Sequence, residues 1–302
     1  MAIRFGAVGT AFWAREVHAP GVARAKGARL VGIWGRNHEA AHAIAQRHGV
    51  RAFENFDDLL AETEALTMAV PPSVQASLAL RAAEAGKHMI LEKPLALNAD
   101  DAHAIADAMA ARGTRSIVFF LRRFVPEIAA AIAAERAGGW RKATVRVHSS
   151  VMSTASPYAQ SVWRQQEGAA LWDIGPHVLS VLLPMLGPVA RVRARPDDAG
   201  VCVFQTEHQN GATADVSLTL RADPALVGTS YRLASPTREL VLPEPNIDRL
   251  AAFTRAAETL ADLIGGSLDQ HECDVRTGAT ITSILAAAEQ SARAGATIAV
   301  TP

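Results

Sequence analysis

Two short stretches of this sequence combine residue types that can move a proton while a hydride leaves the same carbon. The first is Glu92-Lys93-Pro94, directly after the apolar run His88-Met89-Ile90-Leu91. The second is Asp173-Ile174-Gly175-Pro176-His177, shortly after Trp163-Arg164. Asp173 and His177 stand four apart, a spacing that sets both side chains on one face of a helix. A lysine at a strand end can polarise a substrate oxygen, and an Asp/His pair can take or return its proton. Each residue alone has a plainer reading. Asp173 could be an acid near a helix N-terminus, His177 a core histidine, and Lys93 a surface lysine. The pair could also be half of a metal site, but no third ligand stands at a suggestive spacing, so no metal is expected.

The N-terminus supplies a matching turn. Gly6-Ala7-Val8-Gly9-Thr10-Ala11-Phe12-Trp13-Ala14 follows a strand-like run. A dinucleotide fingerprint places glycine at three positions, and here Gly9 fits the first while Ala11 and Ala14 stand at the second and third. Gly9, Thr10, Ala11, Phe12 and Trp13 are therefore candidate cofactor contacts. The second strand runs into Gly35-Arg36-Asn37, where an NAD enzyme usually carries an acid for the ribose hydroxyls. Gly35 leaves room for a 2′-phosphate, and the forked guanidinium of Arg36 can pair with it. NADP(H) is the preferred cofactor on this reading, with NAD(H) possible. The alternative is a solvated surface arginine.

These residues need elements that bring them to strand ends. Strands are expected over 3–8, 29–34, 66–70, 88–91 and 116–121, and helices over 16–25, 38–48, 74–85 and 100–111. That alternation argues for βαβ units and a parallel sheet. After Arg122 the pattern changes. Helices are expected over 127–136, 171–186, 246–263 and 276–294, and strands over 142–150, 191–195, 201–207, 213–221 and 230–241. His208-Gln209-Asn210-Gly211 is a hairpin signal. The fold class is thus α/β: a Rossmann-type domain at residues 1–121, then an α+β domain at 122–302 with a large, open, mainly antiparallel sheet. Val216, Ser217, Leu218 and Thr219 alternate, which allows a moderately apolar outer face on that sheet.

Bulk properties narrow the function classes. At 302 residues two domains are the natural expectation. Apolar residues make up 49% and charged residues 20%, as in a globular protein. Basic and acidic residues number 30 each, so no net field favours nucleic acid or anionic lipid. Cys202 and Cys273 cannot build a disulfide framework and read as buried or idle thiols. No signal peptide and no membrane span are read from the sequence, which points to the cytoplasm.

Taken together, the chain resembles the Gfo/Idh/MocA family of oxidoreductases (glucose-fructose oxidoreductase, inositol dehydrogenase and relatives). Ala85-Gly86-Lys87-His88-Met89-Ile90-Leu91-Glu92-Lys93-Pro94 is similar to the family's AGKHV…EKP segment. Trp163-Arg164 with Gly168-Ala169-Ala170-Leu171-Trp172-Asp173-Ile174-Gly175-Pro176-His177 is similar to its WR…GGGxLxDxGxH segment. Phe120-Leu121-Arg122-Arg123-Phe124 with Pro126 resembles its crossover into the second domain. The resemblance implies that Lys93 lies beside the nicotinamide and the substrate hydroxyl, that Asp173 and His177 complete the site with His177 as acid/base, and that the Lys93-Pro94 bond is cis. It implies further cofactor contacts from Pro71, Pro72, Gln75, Glu92, Lys93, Pro94, Arg122, Trp163 and Arg164, and a homodimer or homotetramer joined through the open sheet. Where the family has Asn-x-x-His, this chain has Pro72-Ser73-Val74-Gln75, which alters a polar contact near the cofactor.

The expected activity is hydride transfer between a nicotinamide and a secondary alcohol/ketone pair, with a sugar or cyclic polyol as small-molecule substrate. Lys93 would polarise the oxygen, His177 would exchange its proton, and Asp173 would orient the substrate. A loop over Met152–Gln166, with Ser153, Thr154, Ser156, Tyr158, Gln160, Trp163 and Arg164, is expected to supply substrate contacts. A non-catalytic cofactor-binding sensor and a reductase of a non-sugar substrate are the competing readings.

Overall fold

Short apolar strands separated by helices build the first sheet. In the computed structural model, which describes residues 2–153, 156, 158–159, 161–195 and 200–301, these are β1 (Ile3–Val8), β2 (Ala28–Trp34), β3 (Arg51–Phe53), β4 (Ala65–Met68), β5 (His88–Leu91) and β6 (Ser116–Val118). All five pairings are parallel, in the order β3-β2-β1-β4-β5-β6. The chain winds outward from β1 to β3, then crosses back to β4. The order therefore reverses between β1 and β4, where sheets of this kind open a crevice at their carboxyl ends.

The intervening helices are α1 (Ala19–Arg24), α2 (His38–His48), α3 (Phe56–Glu62), α4 (Pro72–Glu84) and α5 (Ala99–Ala111). Their ends follow local chemistry. Asn37 caps α2 by accepting from the Ala40 N–H at 3.0 Å, and Asn98 caps α5 by accepting from the Asp101 N–H at 2.8 Å. Only the stretch over 16–25 departs from a plain helix. It opens as a π-helical turn, Ala14–His18, before α1. Pro20 has no N–H for an α-helical bond to Glu16, and Ala19 reaches back five residues to the Ala14 carbonyl. The strand expected to reach Leu121 stops at Val118 and gives way to a 3₁₀ turn, Leu121–Phe124. Sequence periodicity missed β3 and α3, each too short to set up a repeat.

The second sheet is laid out differently. Following α6 (Pro126–Glu135), its strands are β7 (Lys142–His148), β8 (Val189–Ala194), β9 (Val201–His208), β10 (Thr213–Thr219), β11 (Gly228–Ala234), β12 (Glu239–Val241) and β13 (Ile298–Ala299), with α7 (Ala169–Leu186) packed on one face. The order is β12-β11-β7-β10-β9-β8-β13, and only the β10–β7 pairing is parallel. The Asn-Gly hairpin joins β9 to β10, with Gly211 at φ 80° and the His208 N–H donating to the Ala212 carbonyl. One long strand expected over 230–241 is two, because Ser235–Arg238 turns and bonds across itself.

Register sets the outer face. Val216 and Leu218 are fully buried, as are Val145 and Phe204 beside them. The opposite face carries Thr144, Arg146, Arg193, Gln205, Asp215, Ser217 and Arg232 together with the exposed Val203 and Val241, so it mixes arginine-rich polar surface with scattered apolar residues.

The remaining helices are α8 (Arg249–Gly265) and α9 (Val275–Ala294). The chain forms two compact units: residues 1–124 with 247–279, and residues 125–246 with 280–302. A single boundary at 121/122 was expected; instead α8 returns to the first unit. Gly21 makes this possible, since a Cβ there would fall 2.5 Å from the Phe253 ring. Both cysteines are free and buried, and burial pushes the Cys273 thiol up to about 12. Among the described residues α7 is long and apolar enough to span a bilayer by composition, yet 83% of it is buried inside the fold, as in a core helix.

Candidate active site

The carboxyl ends of β1, β2, β4 and β5 carry most of the candidate residues of the first unit. Gly9 leaves β1 at φ 120°, and a Cβ there would drive into the Ala69 carbonyl. Only glycine fits both constraints. Its N–H donates to Trp34 O at 2.8 Å, and Ala69 N–H donates to Val8 O at 2.8 Å, which ties the three strand ends together. Thr10, Ala11, Phe12 and Trp13 follow at the surface or half-buried.

Gly35 has a packing duty of its own. A Cβ there would lie 2.6 Å from Thr10 Cγ2, so the missing side chain admits Thr10. Arg36 is exposed, and the Asn37 side-chain oxygen is occupied in capping α2. Pro71 is exposed at the start of α4, while Pro72 is buried. Arg122 is buried in the 3₁₀ turn after β6.

Gln75 does not face a cofactor as expected. Its side chain is fully buried and committed to the backbone of the Glu92–Leu95 turn. The amide nitrogen donates to the carbonyls of Glu92 (2.7 Å), Pro94 (3.1 Å) and Leu95 (3.1 Å), and the amide oxygen accepts from Glu92 N–H at 2.9 Å. The Lys93-Pro94 bond is cis. The Glu92 carboxylate accepts from Lys93 N–H at 3.2 Å and from His18 Nε2–H at 3.0 Å. His18 Nδ1 pairs with the Thr67 hydroxyl at 2.7 Å. The His18 ring is fully buried against Phe253, 4.1 Å between centroids, with Trp13 and Phe119 at its edges. His18 and Thr67 were not singled out from sequence. Pro20, two residues on, was the available signal, because it forces the π turn that carries His18.

In the second unit, Arg164 lies within a 3₁₀ turn (Val162–Gln165) and grips Asp173 on α7 with two hydrogen bonds: Nε to Oδ2 at 2.8 Å and Nη2 to Oδ1 at 3.1 Å. Both side chains are nearly buried. The guanidinium also lies over the rings of Trp163 (4.3 Å) and Tyr158 (4.6 Å). Asp173 is thus engaged by an arginine of its own unit, and Arg164 by a carboxylate. His177 lies four residues on in α7, half-buried, its carbonyl accepting from the Ser180 hydroxyl at 2.8 Å. Gly175 lets α7 approach α9, since a Cβ there would fall 2.7 Å from Leu285. Ser153, Ser156 and Tyr158 of the expected substrate loop are described, whereas Thr154 and Gln160 lie outside the described residues.

Residues 3–120 match the model of the oxidoreductase family with an NAD-binding Rossmann fold, GFO_IDH_MocA. An uncharacterized oxidoreductase of Rhizobium meliloti is 39% identical over 116 residues, 37% of this chain and 35% of that protein. The protein named D-xylose 1-dehydrogenase (NADP(+)) 2 of Haloferax volcanii is 29% identical over 70% of this chain and 68% of its own length. Among solved structures, the WlbA dehydrogenase from Bordetella pertussis, in complex with NADH and UDP-GlcNAcA, superposes with a TM-score of 0.84, 25% identity and full coverage of both chains. The chain spans 35–63% of three of the curated relatives it matches. The family match falls within the first unit, over its parallel sheet.

The Arg164–Asp173 pair yields a stability test. Breaking one partner of a nearly buried ion pair costs about 3 kcal/mol, because the other charge is left uncompensated. Arg164→Ala and Asp173→Ala should each lower the unfolding free energy by about that amount, and the double variant by much less than their sum. Denaturant unfolding of all three proteins measures the coupling; additive losses would show that the pair is not a unit.

Proposed function

We propose that this protein is a nicotinamide-dependent dehydrogenase or reductase acting on a secondary alcohol/ketone pair, with a sugar or cyclic polyol derivative as substrate class. The observation that carries the reading is the Glu92–Lys93–Pro94 turn, held by buried hydrogen bonds at the carboxyl end of β5, one strand from the point where the sheet order reverses. Gly9, Thr10 and Gly35 fit a dinucleotide at that end: a backbone turn at positive φ, a close approach between two strand ends, and no acid at the end of β2. A bound nicotinamide supplies the site that accepts or donates the hydride. The names of the Haloferax and Bordetella proteins support a substrate of sugar type.

Lys93 polarises the substrate oxygen as charge develops on it, and His177 takes or returns the hydroxyl proton. Asp173 acts through Arg164, fixing the guanidinium between Trp163 and Tyr158 and so ordering the segment that precedes α7. Arg36 favours NADP(H) over NAD(H), because a guanidinium gains charge-assisted hydrogen bonds to a 2′-phosphate. We also infer a homodimer or homotetramer joined through the outer face of the second sheet, by polar contacts.

Lys93→Ala should cut turnover by about 100-fold, roughly 3 kcal/mol of lost stabilisation, with cofactor affinity within about twofold. His177→Ala should flatten the pH dependence of the rate. A screen of polyols and keto-sugars with each cofactor, followed by absorbance, supplies the assay; parental turnover in Lys93→Ala refutes the assignment. Arg36→Ala alone should weaken NADP by about tenfold or more and leave NAD unchanged by calorimetry, with the NADP advantage shrinking at high salt. An equal loss for both cofactors would remove the phosphate role. Light scattering at micromolar concentration should give a dimer or tetramer mass; a strictly monomeric mass contradicts the interface.

A further inference from the structure

We infer that Gln75 and His18 are positioning residues that set the direction of Lys93 by holding the Glu92–Leu95 turn from two sides. The inference rests on the proposed role of Lys93. Neither residue is near Lys93 in sequence, and both are fully buried. Gln75 fixes the main chain: its amide engages the carbonyls before and after Lys93-Pro94, and its oxygen takes the N–H of Glu92. His18 fixes the side chain of Glu92, whose second oxygen takes the N–H of Lys93 itself. Lys93 therefore sits between two anchored peptide groups.

The network serves this turn in particular. A side chain that only stabilised the interior would have no need to spend both its donor and its acceptor on one irregular segment. Gln75 shares its two amide N–H bonds among three carbonyls of this irregular segment, and a buried carbonyl left without a donor is costly. His18 is aimed by the π turn. With the tilted Phe253 ring packed on one side and Trp13 and Phe119 at the edges, the imidazole is confined between Thr67 and Glu92. Chemistry at a lysine depends on its placement to within about an ångström, and an error of that size costs about 100-fold in rate. The two buried clamps meet that tolerance without touching substrate.

Lysine-directed NMR tests the inference without needing a substrate. The chain's lysines are Lys26, Lys87, Lys93 and Lys142. Reductive methylation with ¹³C-formaldehyde gives each a dimethylamino resonance, and Lys93→Arg identifies that of Lys93. In Gln75→Leu and in His18→Phe, which keeps the aromatic stack, the Lys93 resonance should move toward those of exposed lysines while the other three stay in place. His18→Gln, which restores an N–H toward Glu92, should return it. Should Gln75→Leu fail to fold, Gln75→Glu keeps the shape and the acceptor but loses the donor, and carries the same comparison. A parental Lys93 resonance in folded Gln75 and His18 variants would overturn the inference, and so would a stability loss with no movement of Lys93. On an identified substrate, kcat should fall about tenfold or more, with the cofactor KM within about twofold. Parental turnover in Lys93→Ala would remove the catalytic reading alone; an immobile Lys93 resonance would remove the positioning alone.

Discussion

One buried amide organises the first unit's candidate site. Gln75 makes four hydrogen bonds to the backbone of a turn that neither helix nor strand could satisfy. A buried backbone donor or acceptor left without a partner costs about 1–3 kcal/mol, which these bonds offset. The turn can be irregular because α4 places this side chain beneath it. Pro72 starts α4 where a missing N–H costs nothing, which puts Gln75 in the first turn of the helix, under the end of β5.

The same economy governs the neighbouring strand ends. Gly9 cannot carry a side chain because the Ala69 carbonyl occupies its place, and Gly35 cannot because Thr10 does. The β1, β2 and β4 ends are thereby drawn close together, with Gly9 N–H bonded to Trp34 O and Ala69 N–H to Val8 O. In the second unit the corresponding device is ionic. Arg164, stacked on two aromatic rings and forked onto Asp173, joins an irregular segment to a long helix. Both devices fix loops by satisfying buried polar groups, and both leave the adjoining residue, Lys93 or His177, on a defined support.

Much of this was legible in the sequence. The βαβ alternation and the Asn-Gly hairpin follow from local chemistry that acts over a few residues. The Glu92-Lys93-Pro94 and Asp173…His177 motifs announced themselves by type and spacing. What escaped reading depends on residues far apart. His18 pairs with Glu92 across 74 positions, and no local pattern marks it except the proline that forces the π turn. Gln75 was expected as a cofactor contact through the family resemblance, yet its side chain turns inward to the Glu92–Leu95 backbone. Asp173 was read as orienting the substrate or as an acid near a helix N-terminus, since nothing in the spacing of Arg164 and Asp173 specifies a forked pair. The return of α8 to the first unit was hidden for the same reason: Phe253 and Gly21 are complementary only in three dimensions.

The central claim is that the turn carrying Lys93 supports hydride transfer between a nicotinamide and a carbinol carbon. Deuterium tracing tests it most directly. The protein is incubated with NADPH deuterated on both hydrogens at C4 and a mixture of keto-sugars and cyclic ketones, and the products are resolved by mass. The account predicts an alcohol product that gains one deuterium at the former carbonyl carbon, formed by the parent and nearly abolished in Lys93→Ala. Saturable binding of the cofactor with both deuterons retained on it across the mixture would contradict the account.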